Sequence, residues 1–200
     1  MAEPSDPLEQ RVENLLAPTR DQGVSAILEA MARALDAGAE VEPEPMRRDG
    51  DGRVIRSGPL DLPSRGDLLV HRAGRSLPQR VESGTPPEFP PLSLVGDGGF
   101  TVVVAPFAWE AAEVIIESRQ KKPDWQPLRL WFLEWVQSRY SDVSPDLFGA
   151  VHRVEGPEPQ RWGWRFQVDF GSAPTAAVSA LMVAAAETGA SRLRIAGASF

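Results

Sequence analysis

The sequence predicts an α+β fold, and the C-terminal half supports this in two ways. Between Glu110 and Ala196 the pattern of apolar residues predicts strand, helix, strand, strand, helix, strand. The segment from Trp162 to Phe170 alternates apolar and polar residues, which is typical of a strand with one buried face. This order of elements predicts a ferredoxin-like βαββαβ sandwich, in which an antiparallel sheet carries two helices on one face.

Residues 1–38 predict a pair of short helices. In the first, apolar residues recur at helical spacing: Leu8, Val12, Leu15 and Leu16. Pro18 is expected to end this helix. The second carries one apolar stripe: Val24, Ile27, Leu28, Met31 and Leu35. Gly38 is a C-terminal stop. Because neither helix would be stable alone in water, both need a surface to dock on, in this chain or in a partner.

Residues 39–99 differ in composition from the rest of the chain. Nine prolines lie between Pro43 and Pro91, and apolar residues come only in brief clusters. This composition predicts a partly disordered linker with one or two short strands. The alternative is an irregular extended arm that wraps the C-terminal domain.

Residues 100–200 contain the predicted sandwich. A strand at Phe100–Val104 is expected to precede it. The sandwich itself consists of residues 110–118, a helix from Pro127 to Tyr140, a strand around Phe148–Val154, the aromatic strand, a helix from Pro174 to Glu187 and a last strand through Leu193 and Ile195. Residues 110–118 fit a strand or a helix, and the alternation of Ala112, Val114 and Ile116 favours a strand. Residues 156–160, with two prolines and a glycine, predict a turn.

Composition argues against several functions. Without cysteine the chain has no disulfides, no thiolate nucleophile and no Cys-based zinc site. A net charge of −7 and a pI near 5.0 argue against a surface that binds phosphate backbones. No apolar run approaches the roughly 18 residues of a membrane span, and the N-terminus does not resemble a signal peptide. We therefore expect a cytoplasmic protein that binds neither membranes nor nucleic acid.

The helix predicted from Pro127 to Tyr140 has more apolar surface than one sheet can cover. Its apolar residues span about 200° of the helix, whereas packing on a sheet needs a stripe little wider than about 100°. Part of this helix should therefore contact other elements of the chain or another protein. For the second case, the predicted interface residues are Trp125, Leu130, Trp131, Leu133 and Tyr140.

The alternation of the aromatic strand predicts which face of the sheet is open. Trp162, Trp164 and Phe166 are expected to lie under the helices, because the opposite face would make a poor core. This orientation argues against stacking of nucleic-acid bases on the tryptophans. The opposite face, together with a histidine on the preceding strand, gives a second candidate site for a small ligand: His152, Arg165, Gln167 and Asp169.

Few residues form a pattern that indicates catalysis. The chain contains no nucleotide-binding or hydrolase motif, and a single strand histidine such as His152 is most often a structural hydrogen-bonding residue. We expect no cofactor and no metal. The sequence therefore favours a non-catalytic protein-interaction module, such as an adaptor, an assembly factor or an immunity-type inhibitor. Its partner would be another protein or a second copy of the chain. The alternative is a small enzyme or ligand-binding domain that uses the open sheet face.

Overall fold

The structure is a computed structural model that describes residues 8–96, 99–118, 120, 122–139 and 144–198. The helices in these residues are α1 (Leu8–Asp36), α2 (Gln126–Val136) and α3 (Ala176–Glu187). The strands are β1 (Glu40–Pro43), β2 (Arg56–Ser57), β3 (Leu62–Pro63), β4 (Leu68–Arg72), β5 (Arg75–Gln79), β6 (Leu92–Val95), β7 (Thr101–Val104), β8 (Ala112–Glu117), β9 (Arg153–Gln160), β10 (Gly163–Asp169) and β11 (Arg192–Ala196).

The main sheet has six strands in the order β6-β7-β11-β8-β10-β9. Strands β7 and β11 are parallel, and every other neighbouring pair is antiparallel. Two smaller sheets, β1-β4-β5 and β2-β3, precede it in the chain. The prediction of a single ferredoxin-like sandwich with two helices is therefore wrong, because the described residues form an α+β fold with three helices, three sheets and a mixed main sheet.

The error arose at the edge of the sheet beyond β11. A strand was predicted at Phe100–Val104, but nothing in its sequence indicated that it would pair with β11 and accept β6 as a further neighbour. Val102 and Val104 are buried in the main core and Leu94 of β6 lies beside them, so this pairing removes apolar side chains from water. Strand pairing between distant segments depends on such packing and is not encoded in local periodicity.

A single helix of 29 residues replaces the predicted pair, and Pro18 lies inside it. Proline removes one backbone hydrogen bond, and this cost is offset by apolar contacts on both sides of it. Val12 and Leu16 are buried in the main core, whereas Val24, Ile27 and Ala30 belong to a second core with Leu68 of β4. The helix thus connects the two apolar cores.

Residues 39–96 contain six short strands, β1 to β6, joined by irregular segments. Strands β1 and β4 contact α1, and Leu62 of β3 is buried in the main core beside α2. Both descriptions of this region, a linker and an arm that wraps the domain, stay predictions. The division into segments 1–38, 39–99 and 100–200 remains a prediction.

The predicted turn at residues 156–160 is wrong, because these residues lie within β9. A proline cannot donate a backbone hydrogen bond, which made a strand with Pro157 and Pro159 look improbable. Among the described strands β9 pairs with β10 alone, at the edge of the sheet, and edge strands tolerate proline. The strand predicted around Phe148–Val154 accordingly begins later, at Arg153.

The alternation predicted for the aromatic strand is confirmed in its middle and wrong at its ends. On β10, Phe166 and Val168 are buried beneath the helices, and Arg165 and Gln167 are exposed on the opposite face. Trp162 precedes β10 and is 71% exposed, whereas Asp169 is buried. Strand periodicity identifies the two faces, but it does not show how far the helices extend over them.

Among the described residues, none of the helices combines the length and apolar character that a membrane span requires.

Gly163 allows β10 to approach β8 closely. A Cβ atom at this position would lie 2.2 Å from the carbonyl oxygen of Ile116 on β8. We expect Gly163→Ala to force the two strands apart and to lower the free energy of unfolding by about 1–3 kcal/mol, as overpacking does in cores. Urea denaturation followed by circular dichroism measures this.

The matched control is Gly50→Ala, since a Cβ atom there meets nothing within 4 Å and the backbone φ of Gly50 lies outside the left-handed region. Equal stability of the two variants would contradict the close approach of β10 to β8.

Candidate functional site

Four ionisable side chains and one hydroxyl group meet in the interior and are named here the His152 cluster. Its members are Glu44, Asp67, His152, Asp169 and Ser172, and all of them are buried. Glu44 directly follows β1 and Asp67 precedes β4, whereas His152 directly precedes β9 and Asp169 ends β10. The cluster therefore joins the small three-stranded sheet to the main sheet.

His152 lies between two carboxylates. Its Nε2 atom is 2.6 Å from Oε1 of Glu44, and its Nδ1 atom is 2.9 Å from Oδ1 of Asp67. Oδ1 of Asp169 lies 3.9 Å from the same Nδ1 atom. Since a carboxylate accepts hydrogen bonds, this arrangement fits an imidazolium ring that donates through both nitrogens.

The surroundings of His152 strongly favour its charged form. Burial by itself would lower the pKa of His152. The hydrogen bonds to Asp67 and Glu44 and the negative charge of Asp169 outweigh burial and raise this pKa to about 10. At neutral pH the ring is therefore positively charged and cannot serve as a general base.

The three carboxylates respond differently to the same ring. Burial would raise the pKa of Glu44 and of Asp67, but the hydrogen bonds and charge of His152 lower both below their ordinary values. Asp169 is not within hydrogen-bonding distance of the ring, so burial raises its pKa to about 6, although His152 opposes this. Arg80 and Arg153 add positive charge near Asp67 and Asp169 respectively.

Neighbouring groups hold the carboxylates in place. Glu44 accepts hydrogen bonds from Ser172 Oγ and from the backbone N–H of Phe148. Oδ2 of Asp67 accepts one from the backbone N–H of Val81 at 2.7 Å, and Oδ1 of Asp169 accepts one from that of Gly171 at 3.0 Å. Gly171 lies against the imidazole ring, because a Cβ atom there would be 2.1 Å from Cδ2 of His152.

The geometry limits what the His152 cluster can do. His152 has no exposed surface, so no substrate reaches it in this conformation. Asp67, His152 and Asp169 each offer one donor atom, and these atoms lie within 4.8 Å of one another, so these residues could hold a metal ion. When no metal ion is bound, the His152 cluster is a set of charge-assisted hydrogen bonds between segments that are distant in the sequence.

The structure divides the predicted open-face site. Arg165 and Gln167 line one hollow of about 120 Å³ on the open sheet face, and Arg165 is paired there with Glu158 and Glu113. His152 and Asp169 lie instead in the buried cluster. The four residues therefore do not form one pocket.

The predicted interface residues are also separated. Trp131 is buried and its indole N–H donates a hydrogen bond to the carbonyl oxygen of Ala177 on α3. Trp125 is partly buried, with its ring edge-on to those of Trp164 and Phe166, and Leu133 is partly buried against the core. Leu130 is 55% exposed, and Tyr140 lies outside the described residues. Most of the apolar width of α2 is thus covered by this chain.

A second feature, named here the Trp162 groove, lies at the end of the sheet where β9 turns into β10. Its volume is about 690 Å³, and its walls include Gln120, Pro159, Arg161, Trp162 and Trp164. The guanidinium of Arg161 lies over the Trp162 ring at 4.8 Å from its centroid. The groove thus has an exposed indole at its rim and the half-buried Trp164 in its wall.

Sequence reasoning missed three members of the His152 cluster. Glu44 is one of three glutamates that alternate in residues 40–44, and nothing distinguishes it from its exposed neighbours Glu40 and Glu42. Asp67 directly precedes β4 and Ser172 lies in the turn between β10 and α3, positions at which such residues usually cap or turn the chain. Sequence separations of 85 and 108 residues between His152 and its two partners left no local signal.

The fold and these two sites define an α+β protein with a buried charged junction and an exposed aromatic groove. Comparison with protein-family models, with curated proteins and with solved structures found no match.

Replacing Glu44 should destabilise the whole chain. Glu44→Gln leaves the buried imidazolium with one partner less and presents an amide N–H₂ to donors, which should cost about 3–5 kcal/mol of unfolding free energy. The matched control is Glu42→Gln, because the side chain of Glu42 is exposed and lies two residues earlier in the chain. This variant should lose less than about 0.5 kcal/mol of unfolding free energy. Similar losses in the two variants, measured by denaturation, would contradict a buried ion pair.

Stability should fall in alkaline solution because the pKa of His152 is raised on folding, from an ordinary 6.5 to about 10. The stabilisation is fully present below pH 6.5 and is lost as pH rises through 10. Asp169 is ionised above pH 7, so it does not obscure this range. We expect the melting temperature to decrease from pH 7 to pH 10, with a chelator present so that the cluster binds only protons. An NMR titration in which His152 gains its proton with a midpoint near pH 6.5 would contradict the prediction.

Proposed function

We propose that this chain is a non-catalytic protein-interaction module that binds its partner at the Trp162 groove. The observation that carries the proposal is the 71% exposure of Trp162 at the rim of a groove of about 690 Å³. Burying a tryptophan side chain on binding releases apolar surface from water and contributes a few kcal/mol. Tryptophan and arginine are also the residue types most enriched among the energetic centres of protein interfaces.

A rigid base under the indole adds support. The close approach of Gly163 to Ile116 fixes the start of β10 on β8. Behind it, the Trp164 ring packs edge-on against Trp125, with the centroids 5.5 Å apart. Trp162 lies in the two-residue turn between β9 and β10, and a short turn between paired strands loses little conformational freedom on binding, which favours affinity.

The charge around the groove favours a protein over a nucleic acid. Arg161 contributes a positive charge there and Glu117 a negative one, and the whole chain carries −7. A nucleic-acid surface would instead need a positive patch. The alternative function, a ligand site on the open face, has less support because only two of its four predicted residues share a hollow.

The test compares two exposed apolar residues, one in the groove and one on the predicted helix surface. Proteins captured from an extract of the source cells are identified, and the affinity of the purified partner is measured by calorimetry. Trp162→Ala should weaken binding about 30-fold, the loss expected for an interface residue worth about 2 kcal/mol. Leu130→Ala should leave affinity unchanged.

Both variants should melt within about 2 °C of the wild type, because each removes an exposed side chain. If only Leu130→Ala loses binding, the interface lies on α2 and not at the Trp162 groove. A partner whose affinity neither variant alters would refute the proposed site.

A further inference from the structure

Three buried side chains of the His152 cluster, Asp67, His152 and Asp169, place one potential metal-ligand atom each within 4.8 Å of the others. We propose that Asp67, His152 and Asp169 bind one divalent zinc ion, through a carboxylate oxygen of each aspartate and the Nδ1 atom of the imidazole. Zinc binds imidazole nitrogen and carboxylate oxygen at about 2.0–2.2 Å, usually with four ligands. Its ligand atoms then stand roughly 3.3 Å apart. The distances from His152 Nδ1 to Asp67 and Asp169 are 2.9 and 3.9 Å, which bracket this value.

A small cavity lies against two of the three ligands. Asp67 and Asp169 line it together with Glu110, Ser83 and Trp109, and its volume of about 10 Å³ suits a single water molecule. The indole N–H of Trp109 is buried without a hydrogen-bond partner among the described residues. A water molecule bound to the zinc ion as its fourth ligand would lie among these carboxylates and could accept a hydrogen bond from that N–H.

Glu44 supplies the support that a ligating histidine needs. A histidine that binds a metal commonly donates its other ring N–H to a carboxylate, which fixes the tautomer and the ring orientation. The Nε2 atom of His152 makes this contact with Glu44 at 2.6 Å, and Ser172 and Phe148 hold Glu44 in turn. Nδ1 therefore faces the aspartates. Binding of zinc replaces the proton on Nδ1, and this proton passes to solvent.

The experiment uses the full chain after chelator treatment and dialysis, with zinc chloride as the probe in calorimetry. The wild type should bind one equivalent and its melting temperature should rise with zinc. Asp169→Asn keeps an oxygen to accept the Gly171 N–H but removes the charge, and it should bind zinc at least tenfold more weakly. The matched control is His71→Gln, which removes the only other histidine in the sequence and should leave binding unchanged.

A measurement on the wild type keeps the inference testable if Asp169→Asn does not fold. In ¹⁵N NMR spectra, zinc should shift the Nδ1 signal of His152 and leave both His71 nitrogens in place. Either of two results overturns the inference: the wild type shows no saturable binding, or its binding is lost in His71→Gln and retained in Asp169→Asn. Because the two sites share no residue, failure here would leave the proposed protein-binding groove untouched.

Discussion

The imidazolium of His152, held between Glu44 and Asp67, connects the small three-stranded sheet to the main sheet. Glu44 and Asp67 flank strands of the small three-stranded sheet, and His152 directly precedes an edge strand of the main sheet. A buried charge is costly unless it is paired and hydrogen-bonded, so this arrangement is stable only with all of its members in place. Apolar burial holds the two cores together, and the ion pairs define how the small sheet is positioned on the main one.

The two candidate sites differ in what the surrounding fold does to them. At the His152 cluster, distant segments converge and exclude water, which strengthens electrostatic interactions and shifts pKa values. At the Trp162 groove, the turn between β9 and β10 leaves an indole in water, next to Trp164 packed edge-on against Trp125. The ligand proposed for the first is a zinc ion, and that proposed for the second is the apolar surface of another protein. Neither requires the other, so one chain can carry both.

Local sequence patterns predicted much of the C-terminal half. The strand at Ala112–Glu117, the aromatic helix as far as Val136, the alternation around Phe166 and the helix before the last strand all have periodicities that a single segment displays. The same reasoning failed at Pro18 and at Pro157. Taken alone, each proline disfavours the helix or strand that contains it. Pro18 is tolerated because α1 packs on two cores, and Pro157 is tolerated because β9 is an edge strand.

What the sequence determined by itself is the secondary structure of its periodic segments and the buried face of its aromatic strand. Only the tertiary structure decided that β6 and β7 widen the sheet, that Asp169 turns inward and that Trp162 remains in water. It alone also brought Glu44 and Asp67 to His152. The reason is physical. Periodicity indicates which face of a segment is buried, whereas the pairing of charges and of strands depends on which distant segment packs against that face.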